Sequence, residues 1–507
     1  MKEEKEVSAQ KMNITAGILM GETVKTTLGP KGMDKMLINP NGEIIITNDG
    51  VTILREMNIN HPAAKMMIEV SKTQEAEAGD GTTTAVVLAG EFLKQSLNLI
   101  EQGIHPIIIS QVYHKAQVKC LELLEDKALS IDLSNDEGLK NVIKTALTGK
   151  SAETNIDKVT ELILETVKKT SKESINYSNI KIEKRTGGSV NDSVIINGIL
   201  LNNTRTLDTM SEEIINPKIL LLTQELKIKE TDNEAQIRIN TPEQLQAFID
   251  QEEAYLKNML KRIKDTGANL IICQKGIDEN LNQLLNHEGL TVIKRVKPED
   301  VIKISKATGA TIIHDVRNAK PESLGLAGKY SLIKIGNDYM TSISECPNTE
   351  AVTMLLRGGT EHVIDEIERA VIDSLGDLNN VLKTGKVVKG GGTMENILYK
   401  ELMDYAQKFK GKEMIIMQAY AKALLVIPKT LSDNAGLDTL TLITELNKNP
   451  GLGINVINGE IMDMVEVIEP LKTKTQAITG ATEAANMILR IDDNIAMNGG
   501  EMDDNNK

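Results

Sequence analysis

The spacing of apolar residues changes twice along this chain, and that limits what the chain can fold into. From residue 8 to 28 the apolar positions Ile14, Ile18, Leu19, Val24 and Leu28 recur at helical intervals. Leu28-Gly29-Pro30-Lys31-Gly32 breaks that helix, Glu43–Thr47 reads as a strand, and Asn48-Asp49-Gly50 carries a tight-turn signal. Pro62 opens further helices that run through Leu99, from Pro106 to about Leu124, and from Glu137 to Leu147. The middle is different. Gly267-Ala268, Gly289 and Gly309-Ala310 each precede a short apolar run (Asn269–Cys273, Leu290–Val296, Thr311–His314), and helical stretches 278–287 and 298–308 lie between the runs. Such alternation predicts a small parallel sheet. Ahead of it, Pro242–Lys264 reads as one long charged amphipathic helix. After Arg357-Gly358-Gly359 helical spacing returns over 360–375, 393–409, 413–433 and 471–490. At 507 residues the chain is too long for one core. Two layouts fit: one domain built from both termini with another inserted in it, or three domains in a row.

Composition narrows the function classes. With no Trp, 3 Phe and 8 Tyr, the cores must be filled by aliphatic side chains and Met. A net charge of −14 argues against a nucleic-acid binder that relies on phosphate contacts. Cys120, Cys273 and Cys346 are far apart and form no CxxC, which suits a reducing compartment better than a disulfide framework or a zinc site. The charged start Met1-Lys2-Glu3-Glu4-Lys5-Glu6 does not read as a signal peptide, and no apolar run is seen that approaches the ~18–20 residues of a membrane helix. The expectation is a cytoplasmic protein with neither nucleic-acid nor membrane partners.

The strongest chemical signal is Gly79-Asp80-Gly81-Thr82-Thr83-Thr84. Two glycines let the backbone turn tightly around one carboxylate, and three hydroxyls then open an apolar helix. Free N–H groups and the dipole at that helix start favour phosphate. Asp80 would be repelled by such an anion unless a cation lay between them, and Mg²⁺ takes both kinds of oxygen. The plainer reading is a Thr-capped helix after a glycine turn. Standard nucleotide fingerprints fail: Gly149-Lys150-Ser151 lacks the first P-loop glycine, and Gly451-x-Gly453 lacks the third glycine of a dinucleotide fold. Leu28-Gly29-Pro30 could bring backbone against a ligand, Asn48-Asp49-Gly50 a second carboxylate, Gly390-Gly391-Gly392 a further contact, and Lys150 a phosphate contact. Asp373 falls on an apolar helical face, where a carboxylate is unusual and could polarise a water. Each also has a plain structural reading: helix stop, hairpin turn, flexible joint, exposed lysine or surface aspartate.

Taken together these segments resemble a group II chaperonin subunit, the archaeal thermosome and eukaryotic CCT (TCP-1) family, from about Gln10 to Asp493. The resemblance is carried by Thr27-Leu-Gly-Pro-Lys-Gly-Met-Asp-Lys-Met36, Thr47-Asn-Asp-Gly-Val-Thr-Ile-Leu54, Ala78-Gly-Asp-Gly-Thr-Thr-Thr84, Thr353-Met-Leu-Leu-Arg-Gly-Gly359, Val388-Lys-Gly-Gly-Gly392 and Lys474-Thr-Gln-Ala477. It implies a multidomain chaperonin fold. A mostly α equatorial domain would comprise 1–133 and 391–507, and a small α+β intermediate hinge 134–203 and 357–390. An α/β apical domain, 204–356, would bind substrate and carry a helical lid protrusion at about 230–265, which begins near Ile237–Leu245. The resemblance further implies ATP and Mg²⁺, with K⁺ as an additional cation. Asp80 matches the metal ligand, and Gly81, Thr82, Thr83 and Thr84 the phosphate contacts. Leu28, Gly29 and Pro30 match the adenosine and α-phosphate wall, Gly391 the contact with ribose, and Glu469 an acid at the ribose or base. Asp373 and Asp49 match the carboxylates that act on the attacking water, and Lys150 a γ-phosphate sensor. The implied activity is ATP hydrolysis coupled to enclosure and folding of non-native polypeptides, in two stacked rings with identical or paralogous subunits. A ring subunit that does not hydrolyse and a metabolic kinase are the competing classes. Intact Asp80 and Asp373 speak against the first, and the lack of an acceptor-pocket motif against the second.

Overall fold

The computed structural model describes residues 2–38, 42, 44–150, 155–170, 174–227, 241–336, 338–347 and 351–495. The first part of the expected lid protrusion, up to residue 240, and the polar tail 499–507 therefore lie outside the described residues. The chain forms two compact units, one from Met1–Ile163 with Glu366–Lys507 and the other from Leu164–Asp365. Their boundaries fall inside the helices Ile156–Thr170 and Glu361–Thr384.

The first unit is a stack of helices: Lys2–Lys25, Pro62–Ala78, Thr82–Glu101, Pro106–Lys127, Thr393–Ala406, Lys412–Leu424, Val426–Asn434 and Leu471–Leu489. Helix Thr82–Glu101 is its axis. Ala85 to Gly90 are all buried, as are Phe92, Leu93, Ser96 and Leu99, so neighbours pack around most of its circumference. Three of the chain's scarce aromatics meet there. Phe92 stacks on Tyr420 at 4.3 Å between ring centroids, and Tyr113 meets Tyr420 edge-on at 5.1 Å. The rest of this core is Leu, Ile, Val, Ala and Met. Proline starts Pro62–Ala78 and Pro106–Lys127, as read from the sequence.

Two sequence readings change here. Asn48-Asp49-Gly50 is no hairpin turn: strand Ile44–Thr47 pairs with the preceding Lys35–Ile38, and Asp49 caps the helix Gly50–Glu56. Residues Lys412–Asn434 do pass a membrane-helix criterion, with mean hydropathy 1.3 over 18 residues. That window is 72% buried in the protein, so its apolarity reflects a place in the core.

The second unit holds two sheets. Strands Ile312–Ile313, Lys218–Leu222, Leu270–Cys273 and Thr291–Ile293 lie side by side in that order, all parallel, with Gly325–Leu326 antiparallel on Lys218–Leu222. Three of these strands are the apolar runs predicted above. The second sheet has six strands in the order Ile180–Thr186, Val352–Gly358, Val194–Leu201, Asp338–Ser344, Lys329–Ile335 and Glu213–Ile215, mostly antiparallel. Helix Pro242–Thr266 belongs to this unit, and Leu256, Met259 and Ile263 seat it on the core.

Candidate functional site

The first unit encloses a cavity of about 940 Å³. It is lined by all thirteen residues singled out from the sequence: Leu28, Gly29, Pro30, Asp49, Asp80, Gly81, Thr82, Thr83, Thr84, Lys150, Asp373, Gly391 and Glu469.

Two left-handed residues build the turn that holds Asp80. Helix Pro62–Ala78 ends at Gly79 (φ 78°), and Gly81 (φ 81°) is the residue before helix Thr82–Glu101. Between them Asp80 accepts the Gly81 N–H at 2.7 Å, and the Gln74 amide donates to the Asp80 carbonyl, also at 2.7 Å. A side chain on Gly81 would sit 2.8 Å from the Thr473 methyl, so the position needs glycine for room as well as for φ. No side chain caps Thr82–Glu101. Its first N–H groups are free to face an anion.

Asp49 receives N–H bonds from Val51 (3.3 Å) and Thr52 (2.9 Å), and hydroxyl bonds from Thr52 (2.6 Å) and Thr82 (3.3 Å). It thereby links its own short helix to the start of Thr82–Glu101. Lys150 is carried in by Gly149, whose carbonyl accepts from Asn48 at 2.8 Å. Gly149 also packs so closely on Pro30 that a Cβ would lie 2.7 Å from the Pro30 Cα.

Asp373 and Asp377 enter from helix Glu361–Thr384, one turn apart on one face. Gly376 lies between them and touches Gly79 backbone to backbone: a Cβ on either would stand about 3 Å from the other's Cα. Asn380 donates to the Ala78 carbonyl at 2.6 Å in the next turn. Lys150 Nζ donates to Asp373 Oδ2 at 2.6 Å. Burial pushes the Asp373 carboxyl up to about 7; Lys150 opposes this, while the negative charges of Asp80 and Asp49 add to it. Burial works against the Lys150 charge, but Asp373, Asp80 and Asp49 together outweigh it and hold the ammonium above its ordinary range.

At the far wall, Lys474 bridges Glu395 (2.6 Å) and Glu469 (3.2 Å), with the Lys474 and Glu395 side chains only 7% and 3% exposed. Burial raises Glu469 above the usual carboxylate range against the pull of Lys474. Gly391 and Gly392, both left-handed, lead into helix Thr393–Ala406, and Ile454, Val456 and Met464 give that side an apolar lining.

Sequence reasoning missed several lining or supporting groups. Asp377 carried a usable signal, since it lies four residues beyond Asp373 on the same helical face. Lys140, Asn141 and Lys144 line the cavity from helix Asp136–Leu147 and carried no motif. The Gln74 and Glu395 contacts are tertiary and left no trace in local spacing.

A concave site with uncapped N–H groups, clustered carboxylates and paired lysines suits a phosphate ester with its cation, and marks a nucleotide-binding protein. Its relatives say which kind. The sequence pattern of the TCP-1/cpn60 chaperonin family matches residues 20–498. The chain is 48% identical over 495 residues to thermosome subunit beta of Methanothermobacter thermautotrophicus, covering 96% of this chain and 92% of that one. It is 47% identical over 503 residues to thermosome subunit alpha of Archaeoglobus fulgidus (97% and 92%) and 48% over 500 residues to a thermosome subunit of Pyrococcus horikoshii (96% and 91%). The chain belongs to the TCP-1/cpn60 chaperonin family. It is an ATP-hydrolysing, ring-forming chaperonin subunit with the multidomain chaperonin fold.

Proposed function

We propose that ATP binds in the 940 Å³ cavity with its phosphates on the Gly81–Thr84 helix start and its adenosine along Leu28, Gly29 and Pro30, toward Gly391 and Glu469. Asp80 is the protein's ligand to Mg²⁺. The donor set fits: Asp80 lines the cavity beside the uncapped helix start at Thr82–Thr84, so a cation there would share one carboxylate with phosphate oxygens. Bound there, Mg²⁺ would neutralise phosphate charge. K⁺ is a further candidate cation on the same oxygen-rich wall.

Asp373 is the base that orients and deprotonates the attacking water, Asp49 assists it, and Lys150 senses the γ-phosphate. The observation that carries this reading is the convergence of Asp373, Lys150 and Asp80 in one cavity. The Lys150 ammonium is bonded to Asp373. A γ-phosphate offers that ammonium a second anionic partner and frees the carboxylate for water. Both side chains come from the segments assigned to a hinge (134–203 and 357–390), whereas Asp80 belongs to the equatorial segments (1–133 and 391–507). Hydrolysis is therefore coupled to hinge movement. The apical segment, 204–356, binds non-native polypeptide, and its protrusion at about 230–265 closes a chamber where the client cannot aggregate. The working particle is two stacked rings of identical or paralogous subunits in the cytoplasm.

The test is single-turnover hydrolysis and nucleotide binding on assembled particles. Asp373→Ala should bind ATP and lose roughly 10²–10⁴-fold in hydrolysis. Asp80→Ala should shift the Mg²⁺ dependence. Near-normal turnover by Asp373→Ala would reject the assignment.

A further inference from the structure

Asp377 is a buried carboxylate on the cavity wall, 3% exposed, that the reaction scheme above does not use. Its Oδ1 accepts the Thr473 hydroxyl at 3.1 Å. Thr473 sits two residues into helix Leu471–Leu489, just after Glu469, and its carbonyl accepts the Gln74 amide at 3.1 Å. The same Gln74 amide holds the Asp80 carbonyl at 2.7 Å. The Thr473 methyl is also what would stand against a side chain on Gly81. One unbroken chain of polar contacts thus runs from helix Glu361–Thr384, which bears Asp373, through Thr473 and Gln74 to the turn that bears Asp80.

We propose that Asp377 is a positioning residue for ATP hydrolysis: its bond to Thr473 fixes how the helix carrying Asp373 is set against the Asp80–Gly81 turn. The geometry favours this over a structural bond alone. Gly376 and Gly79 bring the two backbones into contact at one point, and a single contact does not by itself prevent a pivot about it. Asp377–Thr473 and Asn380–Ala78, one and four residues beyond Gly376 along the helix, restrain such a pivot. Burial, with Asp80 and Glu469 nearby, pushes the Asp377 carboxyl well above the usual range. An asparagine at this position keeps the Oδ1 that accepts the Thr473 hydroxyl.

The proposal builds on the role of Asp373, and the experiment separates the two. ATP turnover of assembled particles is measured for Asp377→Ala, Asp377→Asn, Thr473→Val and the Asp377→Ala/Thr473→Val double variant, with Asp373→Ala as reference. Loss of the bond should lower kcat about tenfold while KM for ATP stays within about threefold, because the lost alignment matters at the transition state. Asp377→Asn should recover most of what alanine loses. The double variant should be no slower than the slower single variant, since both remove one interaction. Thr473→Val breaks the bond from the other side with little change of shape, so it decides the matter even where Asp377→Ala does not assemble. Wild-type kcat in Thr473→Val, losses that multiply in the double variant, or a change confined to KM would each overturn the proposal. Full activity in Asp373→Ala would instead overturn the assignment of the base.

Discussion

Gly376→Ala is the substitution whose outcome follows most directly from the contacts at this site. Ala is the better helix former, and in an exposed helix interior the exchange would stabilise by about 1 kcal/mol. Here the new Cβ would lie 3.0 Å from the Gly79 Cα, against the ~3.5–4.0 Å at which carbon atoms rest. Neither atom belongs to a side chain that could rotate away, so the backbones must separate by about half an ångström. Overpacking of this kind costs roughly 1–3 kcal/mol, which leaves a net loss of about 0–2 kcal/mol. The kinetic effect should be larger than the thermal one. The helix that moves carries Asp373, and a misplacement of 1 Å costs on the order of 10²-fold, so half of that corresponds to about tenfold in kcat. Gly480, in helix Leu471–Leu489, is the internal control: its Cβ would meet only the Val70 side chain, at an ordinary 3.6 Å. Gly480→Ala should be neutral or stabilising and fully active. Gly79→Ala should be worse than Gly376→Ala, because it adds a left-handed φ of 78° to a 2.9 Å clash. The assays are ATP turnover of assembled particles and thermal unfolding. Wild-type kcat in Gly376→Ala, or equal behaviour of all three variants, would refute the argument that this contact sets the catalytic geometry.

Two further outcomes follow from the buried charges. With the Asp373 carboxyl at about 7 and in the proposed role of base, kcat/KM should climb with pH through a midpoint near 7 and level off about a unit above it. The same displacement from 3.8 means that the native state binds the proton more tightly than the unfolded chain. The stability it lends is complete below about 3.8 and is lost as pH rises through about 7. Denaturant titrations should therefore show the wild type losing more stability than Asp373→Asn between pH 5 and 8; parallel curves would contradict this. Lys474→Met should strip buried Glu395 and half-buried Glu469 of the one cation paired with both among the described residues, and cost about 3–5 kcal/mol in unfolding experiments. A loss below about 1 kcal/mol would show that the triad is not a closed ion cluster.

What could be read from the sequence, and what could not, divides along a physical line. Gly79–Thr84 was legible because a left-handed turn, a carboxylate and a helix start are local requirements that leave residues in fixed order. Helix starts at Pro62 and Pro106 and three strands of the parallel sheet were legible for the same reason. The six-stranded sheet was not, because its order interleaves strands from Ile180 to Gly358 and pairing at such distances leaves no periodic trace. The turn signal at Asn48-Asp49-Gly50 misleads about local structure alone, since Asn-Asp-Gly serves a hairpin and a helix cap equally well, and only the earlier partner strand Lys35–Ile38 decides between them.

The carboxylates of helix Glu361–Thr384 show why such ambiguity gathers at the site itself. Asp373 and Asp377 lie on an apolar face where composition alone expects solvent or an error of register. They persist there because Lys150 and Thr473 reach them from segments more than 90 residues away in either direction. The polar groups that make the face costly to bury thus find their partners only when separate parts of the chain have already met. A carboxylate that breaks the local pattern is for that reason a second pointer to this site beside the Gly79–Thr84 motif, and Asp377, one turn beyond Asp373, repeats it.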